Sequence, residues 1–281
     1  MSQSPIPTFT LNDGNTIPVV GFGTYKLNGT AGVEDIKGAI SRGYRLFDSA
    51  FNYENEGTVG NAIRTSGLAR DELQMASKLP GRHHRYDAAI ATIEESVYRS
   101  GLDYIDFYLI HWPNPKQGHF VEAWQALIEA QKRGLVKSIG VSNFLPEHID
   151  TLIRETGVTP AINQVELSPY FPQDDQRKYD KSQRIITQAW SPLGRASKLL
   201  QDKQIEQIAQ SKGKSIVQVI LRWHYQLGVL AIPKASSPER QKENIDLFDF
   251  SLSDDEMAQI ARLATPDGRT NDQDPATYEE F

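Results

Sequence analysis

From residue 19 onward, short apolar runs alternate with longer stretches in which apolar side chains recur every three or four positions. The runs are VVGFG (19–23), YRLFDSA (44–50), LQMASKL (73–79), IDFYLIHW (105–112), VKSIGVSN (136–143), AINQVEL (161–167), IITQAWSPL (185–193) and VLAIPK (229–234). They predict eight β-strands. Runs such as FYLI carry little polar alternation, as expected of parallel strands covered on both faces, and parallel neighbours need crossover connections. The intervening stretches supply these as helices: Phe120, Trp124, Leu127 and Ile128 show helical spacing before Lys132, Arg133 and a stop at Gly134. Similar stops stand at Gly43, Gly67, Gly101, Gly157, Gly213 and Gly228. Ahead of the repeat, Asp13-Gly14 lies between two extended stretches and predicts a hairpin turn.

Eight βα units over about 250 residues predict an α/β fold, a (β/α)8 TIM barrel with an N-terminal β-hairpin; an open doubly wound sheet is the alternative. Two further helical stretches, 197–212 and 253–263, are extra helices outside the repeat. No linker divides residues 1–281, which read as a single domain.

Composition narrows the function. The chain is 39% hydrophobic, enough for one large core. Its 30 Lys plus Arg against 36 Asp plus Glu give a formal charge of −6, which argues against nucleic-acid binding, so an anionic ligand must find a local basic patch. With no cysteine, disulfides, thiolate metal sites and cysteine nucleophiles are excluded. MSQSPIPTFTLNDG lacks the basic and apolar regions of a signal peptide, and no apolar run approaches the roughly 20 residues of a membrane helix. A cytoplasmic protein without a membrane partner is expected.

In parallel α/β folds the site lies beyond the carboxyl ends of the strands. Several runs here end on polar residues: Asp48, Lys78, His111, Ser142-Asn143 and Gln164, with Tyr53 in the loop after Asp48. Singly, each has a plain explanation. Asp48 can cap a helix, Tyr53 can be a loop aromatic, Lys78 can snorkel to the rim and His111 can be a core histidine. Together they form a proton-donor system, in which the carboxylate holds the lysine as ammonium and the ammonium lowers the tyrosine pKa toward working pH. His111 then hydrogen-bonds and orients a carbonyl oxygen.

The other histidines, among them His83 and His84, lack ligand spacing, so no metal site is expected. GFGTYK, with Gly21 and Gly23, lacks the third glycine and the distant acid of a Rossmann turn. Phosphate binding has a better candidate near the last two strands. Lys234, Arg240 and Lys242 form a cationic cluster, with Ser236 and Ser237 beside a helix start at Pro238; a solvated helix face is the plain alternative. Trp190, at a strand end, can stack on a flat ring or simply pack.

GFGTYKL, GYRLFDSAFNYENEGTVGNAI, DYIDFYLIHWP, GLVKSIGVSNF, INQVELSPY and IPKASSPERQKEN stand in an order and spacing that resemble the aldo-keto reductase family from about Phe9 to Phe281. The bacterial 2,5-diketo-gluconate reductase-like subgroup is the most similar in pattern. The resemblance implies a monomeric barrel that binds NADPH (NADP+) in extended form, with NADH weaker, and reduces a small-molecule carbonyl. It implies a catalytic tetrad of Asp48, Tyr53, Lys78 and His111, with Tyr53 the acid in reduction.

For the cofactor it implies Gly23, Thr24, Tyr25 and Asp48; Ser142, Asn143 and Gln164 on the carboxamide; Trp190 stacked on the nicotinamide; and Ser191, Leu193 and Gly194 over the pyrophosphate. Lys234 and Arg240 would grip the 2′-phosphate, while Glu243 and Asn244 would contact adenine. Tyr25, Tyr53, His111 and Trp112 would line the substrate pocket. Ala235 stands where the family commonly has serine, leaving Ser236 or Ser237 to replace one phosphate hydrogen bond, and the short C-terminus implies an open pocket. Two other function classes are chemically possible. A sensor barrel that binds NADPH with little turnover would not need Tyr53 beside Lys78, and a glycosidase using Asp48 and Glu166 leaves Lys78 and the cationic cluster without a role.

Overall fold

The computed structural model describes residues 6–196, 198–266 and 268–281. The first five residues, part of the N-terminal stretch considered above, and Ser197, where the first extra helix is expected to begin, lie outside these. The chain opens with an antiparallel hairpin of β1 (Thr8–Thr10) and β2 (Thr16–Pro18), turned at Gly14 with φ +88°. The repeat follows: β3 (Phe22–Gly23), α1 (Gly29–Ser41), β4 (Leu46–Asp48), α2 (Glu56–Arg64), β5 (Gln74–Leu79), α3 (Tyr86–Ser100), β6 (Ile105–Ile110) and α4 (Phe120–Lys132). It continues with β7 (Val136–Ser142), α5 (Pro146–Thr156), β8 (Ile162–Glu166), α6 (Asp174–Ser182), β9 (Ile186–Trp190), α7 (Lys203–Lys212), α8 (Ile216–Gln226), β10 (Leu230–Ala231), α9 (Pro238–Ile245) and α10 (Asp254–Ala261).

Strands β3 to β10 pair in sequential order and in parallel. A bridge between Val20 and Ala231 joins the sheet's two edges, and Gly21 N and Gly23 N donate to Ala231 O (2.9 Å) and Pro233 O (3.1 Å). The barrel is thereby closed. Leu46, Phe107, Leu109, Ile162 and Leu230 fill its interior together with Leu11 and Ile17 from the hairpin. Burying two such side chains contributes about 1.5–3 kcal/mol each, which seats the hairpin as a plug. Asn12 and Asn15 add hydrogen bonds of 2.9 Å to Pro160 O and Ser138 Oγ. The plug closes the amino ends of the strands, so the carboxyl ends form the open mouth.

Between strands and helices lies a second apolar layer, typified by Trp124 and Leu127 of α4 against Tyr108 and Val141. The extra helices are α7 and α10. The expected stretch 197–212 is divided, because the Asp202 carboxylate accepts from Gln204 N and Ile205 N and so caps α7 there. Ser253 and Glu256 cap α10 reciprocally.

Candidate active site

Asp48 ends β4, Lys78 is the penultimate residue of β5, and His111 follows β6. The parallel register sets Asp48 beside Ala76 and Lys78 beside Leu109, so the lysine stands two residues above the aspartate's level and reaches back to it. Lys78 Nζ donates to Asp48 Oδ1 (2.6 Å) and Ser49 O (2.7 Å). Both side chains are buried, and the short helical turn and the helix that follow β4 have Ala50 and Asn55, not Asp48, at their N-caps. The other Asp48 oxygen accepts from Gln164 Nε2 (2.8 Å), which also donates to Gln188 Oε1 (2.9 Å) on the neighbouring strand. Charge and hydrogen-bond partners together make this burial tolerable.

Tyr53 sits in the short turn Phe51–Tyr53, its ring centroid 5.2 Å from Lys78 Nζ, 5.9 Å from the His111 ring and 4.9 Å from the Tyr25 ring. The four expected residues therefore converge. The direction of the tyrosine shift is opposite to expectation. Burial pushes the Tyr53 phenol far above its ordinary value, the Asp48 and Glu280 carboxylates and Tyr25 add to the rise, and Arg195 opposes it. Lys78, paired with Asp48 at 2.6 Å, does not outweigh this burial. A phenol in this setting stays protonated at neutral pH, the state required of a proton donor.

His111 carries an unforeseen neighbour. Its Nδ1 lies 2.7 Å from Glu280 Oε1, with the ring turned out of line for a straight hydrogen bond. Glu280 belongs to the C-terminal tail, which, despite its shortness, docks on the His111 and Trp112 side of the mouth and narrows a pocket expected to be open. Tyr278 packs on Trp112 with centroids 4.5 Å apart, and Trp112 is only 5% exposed. The expected substrate contact of Trp112 is thus covered by the tail. No periodicity in DPATYEEF signals this docking.

On the other side of the mouth, Asn143 Nδ2 donates to His111 O and Ser142 Oγ (both 3.0 Å), and its Oδ1 accepts from Trp190 Nε1 (2.8 Å). Asn143 is left-handed at φ +62°, which turns its amide toward the tryptophan. Ser142 Oγ donates to Gln164 O (2.8 Å). Trp190 is half-buried, so part of its ring remains open. Ser191, Gly194 and Arg195 are all left-handed and coil the loop after β9 tightly; Leu193 between them is half-buried against the core. Arg195 donates to Asn271 Oδ1 (2.9 Å), tying this loop to the C-terminal segment.

At the barrel seam Gly23 admits close approach, since a Cβ there would lie 3.1 Å from Ile232 O and 3.6 Å from Lys234 Cβ. Burial lowers the Lys234 pKa, Lys26 lowers it further, and Asp35 opposes. Sequence reasoning misses Lys26, although it ends the GFGTYK motif set aside above. Ser237 caps α9 by accepting from Arg240 N (3.3 Å), and Ser236 is exposed beside it. Ala235 is buried in the core.

Two of the residues expected at the cofactor are buried and already have protein partners. Thr24 is buried and donates to Asp48 O (2.7 Å), so its hydroxyl anchors the loop. Asn244 is buried facing the Tyr44 hydroxyl, whereas Glu243 is half-buried at the surface. Asn55, also missed, donates to Thr24 O (2.7 Å) and Leu27 O (3.1 Å) and accepts from Ser49 Oγ (2.6 Å), clamping the Tyr25 loop to the Asp48 loop.

Comparison with known proteins places these observations in a group. The family model for the aldo/keto reductase family matches residues 19–265. The chain is 50% identical over 276 residues to 2,5-diketo-D-gluconic acid reductase B of Corynebacterium sp. (strain SHS752001), covering 98% of this chain and 99% of that one. A crystal structure of an aldo/keto reductase from Brucella melitensis superposes with a TM-score of 0.88 at 43% identity, covering 92% of this chain and 99% of that chain. A crystal structure of a Gox0644 mutant in complex with NADPH gives 0.93 at 38% identity, covering 98% and 100%.

Proposed function

The chain belongs to the aldo/keto reductase family, and from that premise we propose how its residues divide the work of an NADPH-dependent oxidoreductase that reduces small aldehydes, ketones or dicarbonyls to alcohols. The residues present fit the cofactor. Among the described residues Lys26, Lys234 and Arg240 have no carboxylate within ion-pairing distance, and the N-terminus of α9 opens beside them, so a phosphate dianion completes the patch. Left-handed residues in the loop after β9 suit a pyrophosphate, since such backbone forms anion-holding concavities. The partly open Trp190 ring offers a stacking face. The chemistry NADPH supplies when bound is a hydride from its nicotinamide ring to the carbonyl carbon.

This chain's residues do the rest. Tyr53 donates a proton to the carbonyl oxygen, and His111 orients that oxygen. Lys78, held by Asp48, places a fixed positive charge beneath the tyrosine and steadies the phenolate left behind. Asn143 and Trp190 brace one another, while Ser142 and Gln164 border the space for the carboxamide. Tyr25 borders the substrate. We read residues 1–281 as one domain acting as a cytoplasmic monomer without a nucleic-acid or membrane partner. The net charge of −6 speaks against a nucleic-acid partner, and among the described residues no helix is long and apolar enough to cross a membrane. The name of the Corynebacterium relative favours dicarbonyl sugar acids as first substrates to try.

The observation that carries the reading is the buried Lys78–Asp48 pair beside Tyr53. Its test is NADPH and NADH oxidation with a panel of dicarbonyls, sugar ketones and aromatic aldehydes, alongside Tyr53→Phe. Loss of a general acid costs about 10²–10⁴-fold in turnover, with NADPH affinity kept. Undiminished turnover in Tyr53→Phe overturns the assignment, and NADPH binding without turnover on any carbonyl favours a sensor.

A further inference from the structure

We propose that Glu280 is a positioning residue for His111, setting from the C-terminal tail which edge of the imidazole faces the substrate carbonyl. The inference rests on the role of His111 given above. The Glu280 carboxylate is almost fully buried and both its oxygens are engaged. Oε1 accepts from Asn52 Nδ2 (2.8 Å) and lies 2.7 Å from His111 Nδ1; Oε2 accepts from Gly81 N (2.9 Å). A buried carboxylate is costly unless so paired.

Its main chain is held independently. Glu280 N donates to Asn114 Oδ1 (3.0 Å) and Asn114 Nδ2 donates back to Glu280 O (2.7 Å), a two-point clasp. Gly81 leaves room for this clasp, because a Cβ there would collide with the Asn114 amide and with Glu280 O. Asn52, Gly81 and Asn114 come from the loops after β4, β5 and β6, the first of which also carries Tyr53 and the last His111. The carboxylate is therefore fixed relative to the reacting groups.

A tail that only needed docking has the Asn114 clasp already, and nothing in that clasp requires an acid aimed at His111. An acceptor beside one ring nitrogen fixes the ring's orientation and places a proton on that nitrogen. With Nδ1 turned to Glu280, Nε2 is the edge left for the carbonyl oxygen. Burial alone would raise the Glu280 carboxyl, but His111, the Gly81 amide and Asn52 hold it below the usual range, so it is ionised for this role.

The test uses the full chain with Glu280→Gln, which keeps the shape, and Glu280→Asp, which keeps the charge. The readouts are kcat, KM, the NADPH dissociation constant, Tm and the ¹⁵N signals of the His111 ring. The expected result for Glu280→Gln is a fall in kcat of about 10- to 100-fold, the usual effect of losing a group that orients a functional imidazole. NADPH affinity and Tm stay close to native, and the His111 signals show proton density leaving Nδ1. Glu280→Asp recovers part of kcat, and if the Gln variant does not fold, a lowered kcat with shifted His111 signals in Glu280→Asp supports the proposal instead. Either of two outcomes overturns it: kcat within twofold of native with unchanged His111 signals, or a kcat loss matched by Tm and NADPH affinity that Asp does not restore. Failure of the Tyr53 reading shows separately, as turnover retained in Tyr53→Phe, whereas the His111 signals report on Glu280 in either case.

Discussion

Lys78 and Asp48 meet at 2.6 Å from adjacent strands, both side chains sealed from water. Breaking such a pair on one side strands the other charge, at a cost of about 3–5 kcal/mol. Lys78→Met is therefore expected to lose that much stability in urea unfolding and nearly all turnover. Lys78→Met combined with Asp48→Asn should recover much of the stability and none of the activity. A single variant as stable as native would mean that the pair does not govern the mouth.

Lys234→Ala and Arg240→Ala should each weaken NADPH binding by about 10- to 100-fold, the range for a lost hydrogen bond to a charged group. NADH binding should change little, since it lacks the 2′-phosphate. Lys26→Ala belongs to the same patch and should act in the same sense, more weakly, because its ammonium also lies 5.3 Å from the Tyr25 ring centroid. Fluorescence titration with both cofactors decides this, and equal losses for the two would remove the patch from 2′-phosphate recognition.

Stability should fall on mild acidification. Burial holds His84 and His224 down at about 4, from 6.5 in the unfolded chain. Both are depressed, so their contribution is complete above pH 6.5 and is lost as pH falls toward 4, up to about 3 kcal/mol each. Asp180 acts in the opposite sense, because burial raises it to about 6 and its protonated folded form gains ground below that pH. His84→Leu isolates one histidine: its urea midpoint should drop less than the native one between pH 7.5 and 5. Identical drops would contradict the depressed value.

The strands are legible in the sequence because a covered parallel strand is uniformly apolar until its end, where the first polar residue marks the mouth. Asp48, Lys78, His111 and Gln164 are visible in that way. Glu280 is not, since it meets Gly81 across 199 positions from a tail without period or motif. Lys26 hides inside a glycine motif that reads only as an incomplete dinucleotide turn. Spacing alone gives the Tyr53 shift the wrong sign, because it does not show how deeply the phenol is buried, and burial outweighs a lysine already paired with Asp48. Thr24 and Asn244 carry the polar atoms expected of cofactor contacts, but which way a short polar side chain turns is decided by tertiary partners.

Gly60 sets the spacing of α2 and α3. A Cβ there would fall on the carbonyl oxygen of Ser100, which is main chain and cannot rotate away. Gly60→Ala is expected to cost about 3 kcal/mol, at the upper end of ordinary overpacking, and to lower Tm without changing the NADPH dissociation constant. Native stability in that variant would mean the two helices separate freely.

The hairpin plugs one end of the barrel while the tail docks at the other, so the two ends of the described chain serve opposite poles of the molecule. Phe281 is 80% exposed, one residue beyond the buried Glu280. An affinity tag, fluorescent fusion or surface tether attached there would pull on the residue beside His111. The same attachment at the hairpin end leaves the mouth facing away from the support, and immobilised enzyme should be built from that side.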